Sequence, residues 1–337
     1  MKTENLKNIL YKKKAIIDVH AHIGISPKFY FQYGYPYALS VEDLIIRMDL
    51  LGIDYSVAFP FVDSAYYVND IDSPKIETTT QYCNFPFELE NRNLVNEVNE
   101  IFPEYTDKIL PFLMFDPSRD AEKQAIFMEE ISDRYHIYGI KTATTYIQAF
   151  VNDLETVGRP ILEFVRKKNI PIIFHSSVHP EDPWASAIDI VNLAERNPDI
   201  RICIAHSARF MEPVLKKADR LDNCFVDFSA FVIHCKLAVQ NSPSIATENL
   251  RFRANYNDPI SVMTKMAETY PNTMIWGSDT PFNYWIQKYY MGNGELTENR
   301  LDCHYREEAD ILHGLPEPIK NKIAYENNLR FLFGALK

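Results

Sequence analysis

The chain of 337 residues carries 46 acidic and 35 basic side chains, which give it a formal net charge of −11. This charge opposes binding to phosphate backbones and to anionic lipid surfaces, so we expect neither nucleic acid nor a membrane as a partner. The sequence has no apolar leader and no apolar stretch of about 18 residues, which predicts a soluble, cytoplasmic protein.

Taken in order, the chain alternates short apolar runs with longer stretches of helical spacing. Ser40 is a predicted helix cap, and Gly52 is predicted to end the same helix. The apolar runs predict eight strands, at 15–24, 55–62, 109–115, 137–143, 170–175, 200–206, 224–228 and 273–279. Further helices are predicted at about 91–102, 121–135, 161–168, 184–196, 213–221 and 318–333.

Eight strand–helix units are the number found in a closed parallel barrel. The sequence therefore predicts an α/β fold, a (β/α)8 TIM barrel, as a single domain over residues 1–337. A doubly wound open sheet would explain the alternation equally well, but it does not require polar residues at the ends of strands one, five, six and eight. The long segments 61–90 and 230–259 are predicted to cover the barrel mouth. The aromatic run at 29–37 could line a pocket there, or pack on neighbouring loops or another subunit.

Two histidines close the first predicted strand, in the sequence Asp18-Val19-His20-Ala21-His22. Because side chains alternate along a strand, Asp18, His20 and His22 are expected on one face, with neighbours about 7 Å apart. Two inward histidines at a strand end can hold a metal ion, whereas the plainer interpretation is a pair of surface histidines.

Three further polar residues end later strands: His175 ends strand five, His206 ends strand six, and Asp279 ends strand eight in Gly277-Ser278-Asp279-Thr280-Pro281-Phe282. With His20-Ala21-His22 and the closing segment 326–334, this pattern resembles the amidohydrolase superfamily. More narrowly, it is similar to the amidohydrolase-2 branch, which includes aminocarboxymuconate semialdehyde decarboxylase, related decarboxylases, lactonases and hydratases. The resemblance covers nearly the whole chain.

The resemblance implies one divalent metal ion, held by His20, His22, His175 and Asp279. Imidazole and carboxylate ligands suit Zn²⁺ best, although Mn²⁺ or Fe²⁺ also fit these ligand types. Asp279 is expected to double as the base that takes a proton from water, and His206 to polarise a substrate oxygen or move that proton.

Two cationic residues are predicted to bind substrate, and each has an alternative. Lys141, in strand four, is expected to have a structural or substrate role, since a carboxylated lysine bridging two metals belongs to other amidohydrolases. Relatives often continue strand six as His-x-Gly-Gly, whereas this chain reads His206-Ser207-Ala208-Arg209. Arg209 could pair with a substrate carboxylate or be an ordinary surface arginine.

We therefore predict a metal-dependent hydrolase that activates water to cleave an ester, lactone or amide bond in a small molecule. Nonoxidative decarboxylation of an aromatic or muconate-type acid is the alternative, and a barrel that binds without catalysis is the third hypothesis. The sequence leaves homo-oligomerisation open.

Overall fold

The computed structural model describes residues 3–28, 38–68, 75–282, 284–290 and 296–334. The aromatic run at 29–37, predicted to line a pocket, lies outside the described residues. Among the described residues, no helix combines the length and apolar character needed to cross a membrane.

Eight strands form one parallel sheet in chain order. They are β1 Ile17–His22, β2 Tyr55–Phe59, β3 Ile109–Met114, β4 Gly139–Thr142, β5 Ile172–Phe174, β6 Ile202–Ile204, β7 Cys224–Asp227 and β8 Met274–Ile275. The sheet closes because β1 bonds the chain around β8: Val19 N donates to Trp276 O at 3.2 Å, and His22 N donates to Thr280 O at 2.7 Å. The prediction of a (β/α)8 barrel is confirmed.

The strands alternate between two apolar clusters, as expected for a sheet covered on both sides. In β3, Phe112 and Met114 belong to the cluster that fills the barrel, whereas Leu113 belongs to the cluster packed under the outer helices. Phe331 closes the bottom, with its ring 6.4 Å from Phe112 and 5.4 Å from Phe225. The opposite end, where the strands finish, is the barrel mouth.

The helices largely follow the predicted order. They are α1 Thr3–Lys13, α2 Val41–Leu51, α3 Glu88–Asn96, α4 Ala121–Arg134, α5 Thr144–Ile147, α6 Arg159–Lys168, α7 Ala187–Arg196, α8 Glu212–Ala218, α9 Phe231–Val239, α10 Pro259–Thr269, α11 Tyr305–His313, α12 Glu317–Asn321 and α13 Asn327–Phe333. Ser40 caps α2 through a capping box, and Gly52 ends it at φ 69°. The predicted helix at 318–333 is α12 and α13 joined by a π-helical turn, Lys322–Glu326.

Several elements were not predicted. They are α1, α5, α9, α10, α11, a short antiparallel pair of Gly24–Ile25 with Ala38–Leu39, and an antiparallel hairpin of Tyr284–Tyr290 with Leu296–Asp302. Within the segment 230–259, α9 is buried nearly all round, so it lacks the one-sided apolar stripe by which helices are recognised. The single-domain organisation and the covering role of 61–90 and 230–259 stay predictions.

Candidate metal and catalytic site

Polar side chains from several strands meet at the barrel mouth. One ligand atom each from His20, His206 and Asp279 lies within 4.8 Å of the other two, and all three residues are buried. His22 joins this group through Asp279: the Oδ1 atom of Asp279 lies 3.0 Å from His20 Nε2 and 3.4 Å from His22 Nε2. Asp279 therefore lies at the centre of the group.

The carboxyl of Asp279 is ionised in this setting. Burial alone would raise its pKa, but the imidazoles of His20 and His206, with a hydrogen bond from His20 Nε2, hold the pKa well below its usual value. Burial also lowers the pKa of His22 to about 4, so this imidazole is neutral at pH 7.

A hydrogen bond from Nδ1 fixes where a proton lies on each of the two β1 histidines. His20 Nδ1 lies 2.8 Å from Asp227 Oδ2, and His22 Nδ1 lies 2.9 Å from Pro60 O. A carboxylate and a carbonyl can only accept, so each Nδ1 carries a proton and donates it. His22 Nε2 then keeps its lone pair. Burial and Lys141 lower the pKa of His20, but Asp227 and Asp279 together raise it above its usual value, so a metal ion would displace a proton from His20 Nε2.

Asp18 does not join the histidines. The pairing register of β1 with β2 shifts between Asp18 and Ala21, and this bulge breaks the strict alternation on which the prediction of a shared face relied. The Asp18 carboxylate instead accepts bonds from Ser278 Oγ at 2.6 Å and Ser278 N at 2.9 Å.

Asp227, at the end of β7, was missed by the sequence reasoning. Its Oδ2 accepts from His20, and its Oδ1 accepts from His206 N at 2.9 Å, Ser229 N at 3.0 Å and Ser229 Oγ at 2.5 Å. It thus holds a β1 histidine and the strand-six histidine in one network. The signal was present, since a buried apolar strand that ends in a carboxylate resembles the other strand ends.

His175 lies beside His206 rather than in the group around Asp279. His175 Nδ1 is 2.9 Å from His206 Nε2. His206 Nδ1 donates to Ser229, whose carbonyl oxygen is 3.3 Å away and whose Oγ is 2.9 Å away. Of the four predicted ligands, the structure brings His20, His22 and Asp279 together, and it places His206, predicted to act on substrate, closer to them than His175.

Arg209 is brought into the mouth by a left-handed turn. Residues His206–Phe210 all have positive φ, from 47° to 63°, although none is glycine. Arg209 lies half-buried, with Nε donating to Ser176 O at 2.7 Å and the two terminal nitrogens contacting His234 Nε2 at 2.5 Å and His175 Nε2 at 3.2 Å. Arg209 therefore contacts two histidines of the mouth, and its role towards a substrate stays a prediction. His234, carried by α9, is buried, and the sequence assigns it no role.

Lys141 is the second cation at the mouth. It is 1 % exposed, its Nζ lies 3.4 Å from His20 Nε2, and it lies 5.3 Å from the centre of the Phe59 ring. Burial lowers the pKa of Lys141 to about 8. Its amine therefore faces the histidine group from inside the barrel.

The donor set fits a divalent cation. Two imidazole Nε2 atoms and one ionised carboxylate oxygen converge in a buried place, with further imidazoles alongside. Nitrogen and oxygen ligands of this kind suit Zn²⁺ and also Mn²⁺ or Fe²⁺.

Solved structures with a similar fold include enzymes. A probable 2-pyrone-4,6-dicarboxylic acid hydrolase from Acinetobacter baumannii has a TM-score of 0.55 at 15% identity, covering 95% of this chain and 99% of that one. A 5-carboxyvanillate decarboxylase from Novosphingobium aromaticivorans, complexed with manganese, has a TM-score of 0.57 at 12% identity, with 94% and 96% covered. A dihydroorotase from Campylobacter jejuni has a TM-score of 0.51 at 15% identity, with 96% and 84% covered.

A comparison with curated protein sequences finds no match. The model of an amidohydrolase family, Amidohydro_2, matches residues 17–334, which is nearly the whole sequence. The barrel, the histidine and carboxylate group at its mouth and this match agree, and the chain belongs to that amidohydrolase family.

Proposed function

We propose that the protein is a metal-dependent hydrolase that cleaves an ester, lactone or amide bond in a small organic substrate. The observation that carries the proposal is the position of Asp279, whose ionised carboxylate lies between His20 Nε2 and His22 Nε2. A carboxylate at this place can share a cation with two imidazoles and accept a proton from water.

A bound Zn²⁺, or Mn²⁺ or Fe²⁺ in its place, supplies a positive charge that polarises an oxygen and lowers the pKa of water towards about 7. His20, His22 and Asp279 would hold it, with His175 as the fourth proposed ligand. Asp279 would take the proton from the attacking water. His206 keeps Nε2 unprotonated, because its proton is on Nδ1 facing Ser229, so it can receive a proton and pass it on.

Arg209 and Lys141 are the proposed substrate-binding residues. Both are cationic side chains at the mouth, and Arg209 has terminal N–H groups beyond the three contacts already described. An anionic group on the substrate, such as a carboxylate, would satisfy them.

Nonoxidative decarboxylation is the second candidate. It is supported by the two cations, which suit a carboxylated substrate, and by the fold shared with the 5-carboxyvanillate decarboxylase. A decarboxylase also needs an acid to protonate the carbon that loses CO₂. Asp279 is ionised and His206 Nε2 is an acceptor, so hydrolysis fits their described states better.

The first test is metal analysis of protein purified without added metal, followed by a screen of carboxylated lactones, esters and aromatic acids. Turnover in H₂¹⁸O should place ¹⁸O in the product. Release of CO₂ with solvent deuterium on carbon would instead establish the decarboxylase. His22→Asn should lower metal content. His313→Asn is the matched control, because His313 is an exposed histidine whose Nε2 bonds Leu51 O far from the mouth.

A further inference from the structure

Both ring nitrogens of His175 are engaged, and the direction of each hydrogen bond can be worked out. His206 Nδ1 donates to the carbonyl oxygen of Ser229, so His206 Nε2 must accept. The proton between the two histidines therefore lies on His175 Nδ1, 2.9 Å from His206 Nε2. His175 Nε2 then has a lone pair, and this is the nitrogen that Arg209 contacts at 3.2 Å.

The partner on that lone pair is a cation. Arginine keeps its proton in proteins, and its guanidinium has donors but no acceptor, so Arg209 donates to His175 Nε2. With His175 Nδ1 already donating to His206, the Nε2 lone pair is the one atom of His175 that a metal ion could use. Arg209 and a divalent cation thus require the same atom, and their like charges repel each other.

Arg209 is tethered so that it can leave His175 without leaving the mouth. Its Nε is bound to Ser176 O and one terminal nitrogen to His234 Nε2, and both contacts are independent of His175. Rotation of the outer part of the guanidinium away from His175 would present N–H groups to a substrate anion.

We infer that Arg209 is a tethered cation that competes with the divalent metal for His175, so that metal loading releases its guanidinium for the substrate anion. This inference rests on the proposed function, since it takes His175 as a metal ligand. The coupling is reciprocal: an anion that binds Arg209 strengthens metal binding by the same factor as metal strengthens anion binding. Arg209 would thereby make metal and substrate bind in concert.

The experiment measures metal affinity directly. Protein stripped with a chelator is titrated with Zn²⁺, and separately with Mn²⁺, against a chromophoric competitor, for the wild type, Arg209→Gln and Arg209→Met. Both variants remove the charge, and methionine keeps an unbranched apolar stem. Site-to-site coupling is typically about 5–150-fold, so we expect both variants to bind metal more tightly by a factor in that range. Arg251→Gln is the matched control, because Arg251 is a buried arginine bound to Ala246 O and Ala238 O, and it should leave metal affinity unchanged.

A double-mutant cycle assigns the effect to His175. In a His175→Gln background, adding Arg209→Gln should change metal affinity by a smaller factor than in the wild type, because the contested nitrogen is gone and only the repulsion between charges is left. In the wild type, benzoate should tighten metal binding, and in Arg209→Gln it should not. If both Arg209 variants bind metal as tightly as the wild type or more weakly, the proposed competition is refuted, but the proposed function is not. Failure of the wild type and every variant to bind metal would overturn the proposed function as well.

Discussion

Replacing Asp227 by asparagine should damage the site without changing its shape. The carboxylate accepts two bonds on Oδ2, from His20 Nδ1 and from Cys203 Sγ at 3.6 Å, and three on Oδ1, from the backbone of His206 and from Ser229. Asparagine has one acceptor oxygen. If that oxygen takes the position of Oδ1, the three bonds there are kept. The NH₂ group of the asparagine then faces His20 Nδ1, which also carries a proton.

Two consequences follow, each with a magnitude. At least one hydrogen bond to a charged group is lost in a buried place, so the free energy of unfolding should fall by about 1.5–3 kcal/mol. To avoid two opposed donors, His20 must hold its proton on Nε2 alone, and this leaves a metal ion no lone pair there. Loss of a carboxylate that orients a metal-binding histidine typically lowers metal affinity by about 10–100-fold, and we expect that range for Asp227→Asn.

The assay combines metal competition with urea unfolding of the metal-free protein. Asp116→Asn is the matched control, since Asp116 is a fully buried carboxylate after β3 that accepts from Tyr67 and Arg119 and has no contact with a histidine of the mouth. It should lose stability and keep its metal affinity. Asp227→Asn with wild-type metal affinity would show that His20 does not depend on Asp227 for its tautomer, and the reasoning would be wrong.

Asp279→Asn keeps the shape but removes the basicity, so at saturating metal its turnover should fall by about 10²–10⁴-fold, and near-normal turnover with full metal occupancy would eliminate the role of base. His206→Asn should retain metal while losing most turnover, measured as metal content against kcat; loss of metal instead would make His206 a ligand, as its closeness to Asp279 suggests. Ala208→Gly should leave stability unchanged or raise it by up to about 1 kcal/mol in thermal unfolding, because φ 47° is strained for alanine and not for glycine. Ala125→Gly, within α4, should lose about 1 kcal/mol, and a similar loss at Ala208 would refute the strain.

The barrel could be predicted because its signals are local and repeated. Buried parallel strands are continuous apolar runs, and four of the eight runs here end in a polar group at the same end, so the order of the strands and the position of the mouth followed directly. What the sequence could not supply were distances between side chains on different strands. His175 and His206 both end strands next to each other, and only the structure showed that they bond one another instead of both facing Asp279.

The bulge in β1 and the burial of α9 are two further features that could not be predicted from the sequence. A bulge adds one residue to a strand without altering its apolar pattern, so Asp18 could not be separated from His20 by alternation alone. In α9, Phe231, Ile233 and Leu237 are all buried, and His234 is buried among them. A histidine in an apolar run offers no periodic signal that it faces a catalytic mouth.

The left-handed turn after β6 reads His206-Ser207-Ala208-Arg209, whereas relatives often have His-x-Gly-Gly at this place. The surroundings of the turn explain why this departure is tolerated. Non-glycine residues in this conformation cost roughly 1–2 kcal/mol each, so five of them persist only if the surroundings hold them. The surroundings here include Arg209, whose three contacts fix it to Ser176, His234 and His175. A turn of glycines would relieve the strain, but it would also remove the guanidinium from the mouth. Backbone strain retained at the segment that positions the guanidinium of Arg209 against His175, a proposed metal ligand, is therefore best explained by function, because stability alone would favour glycine there.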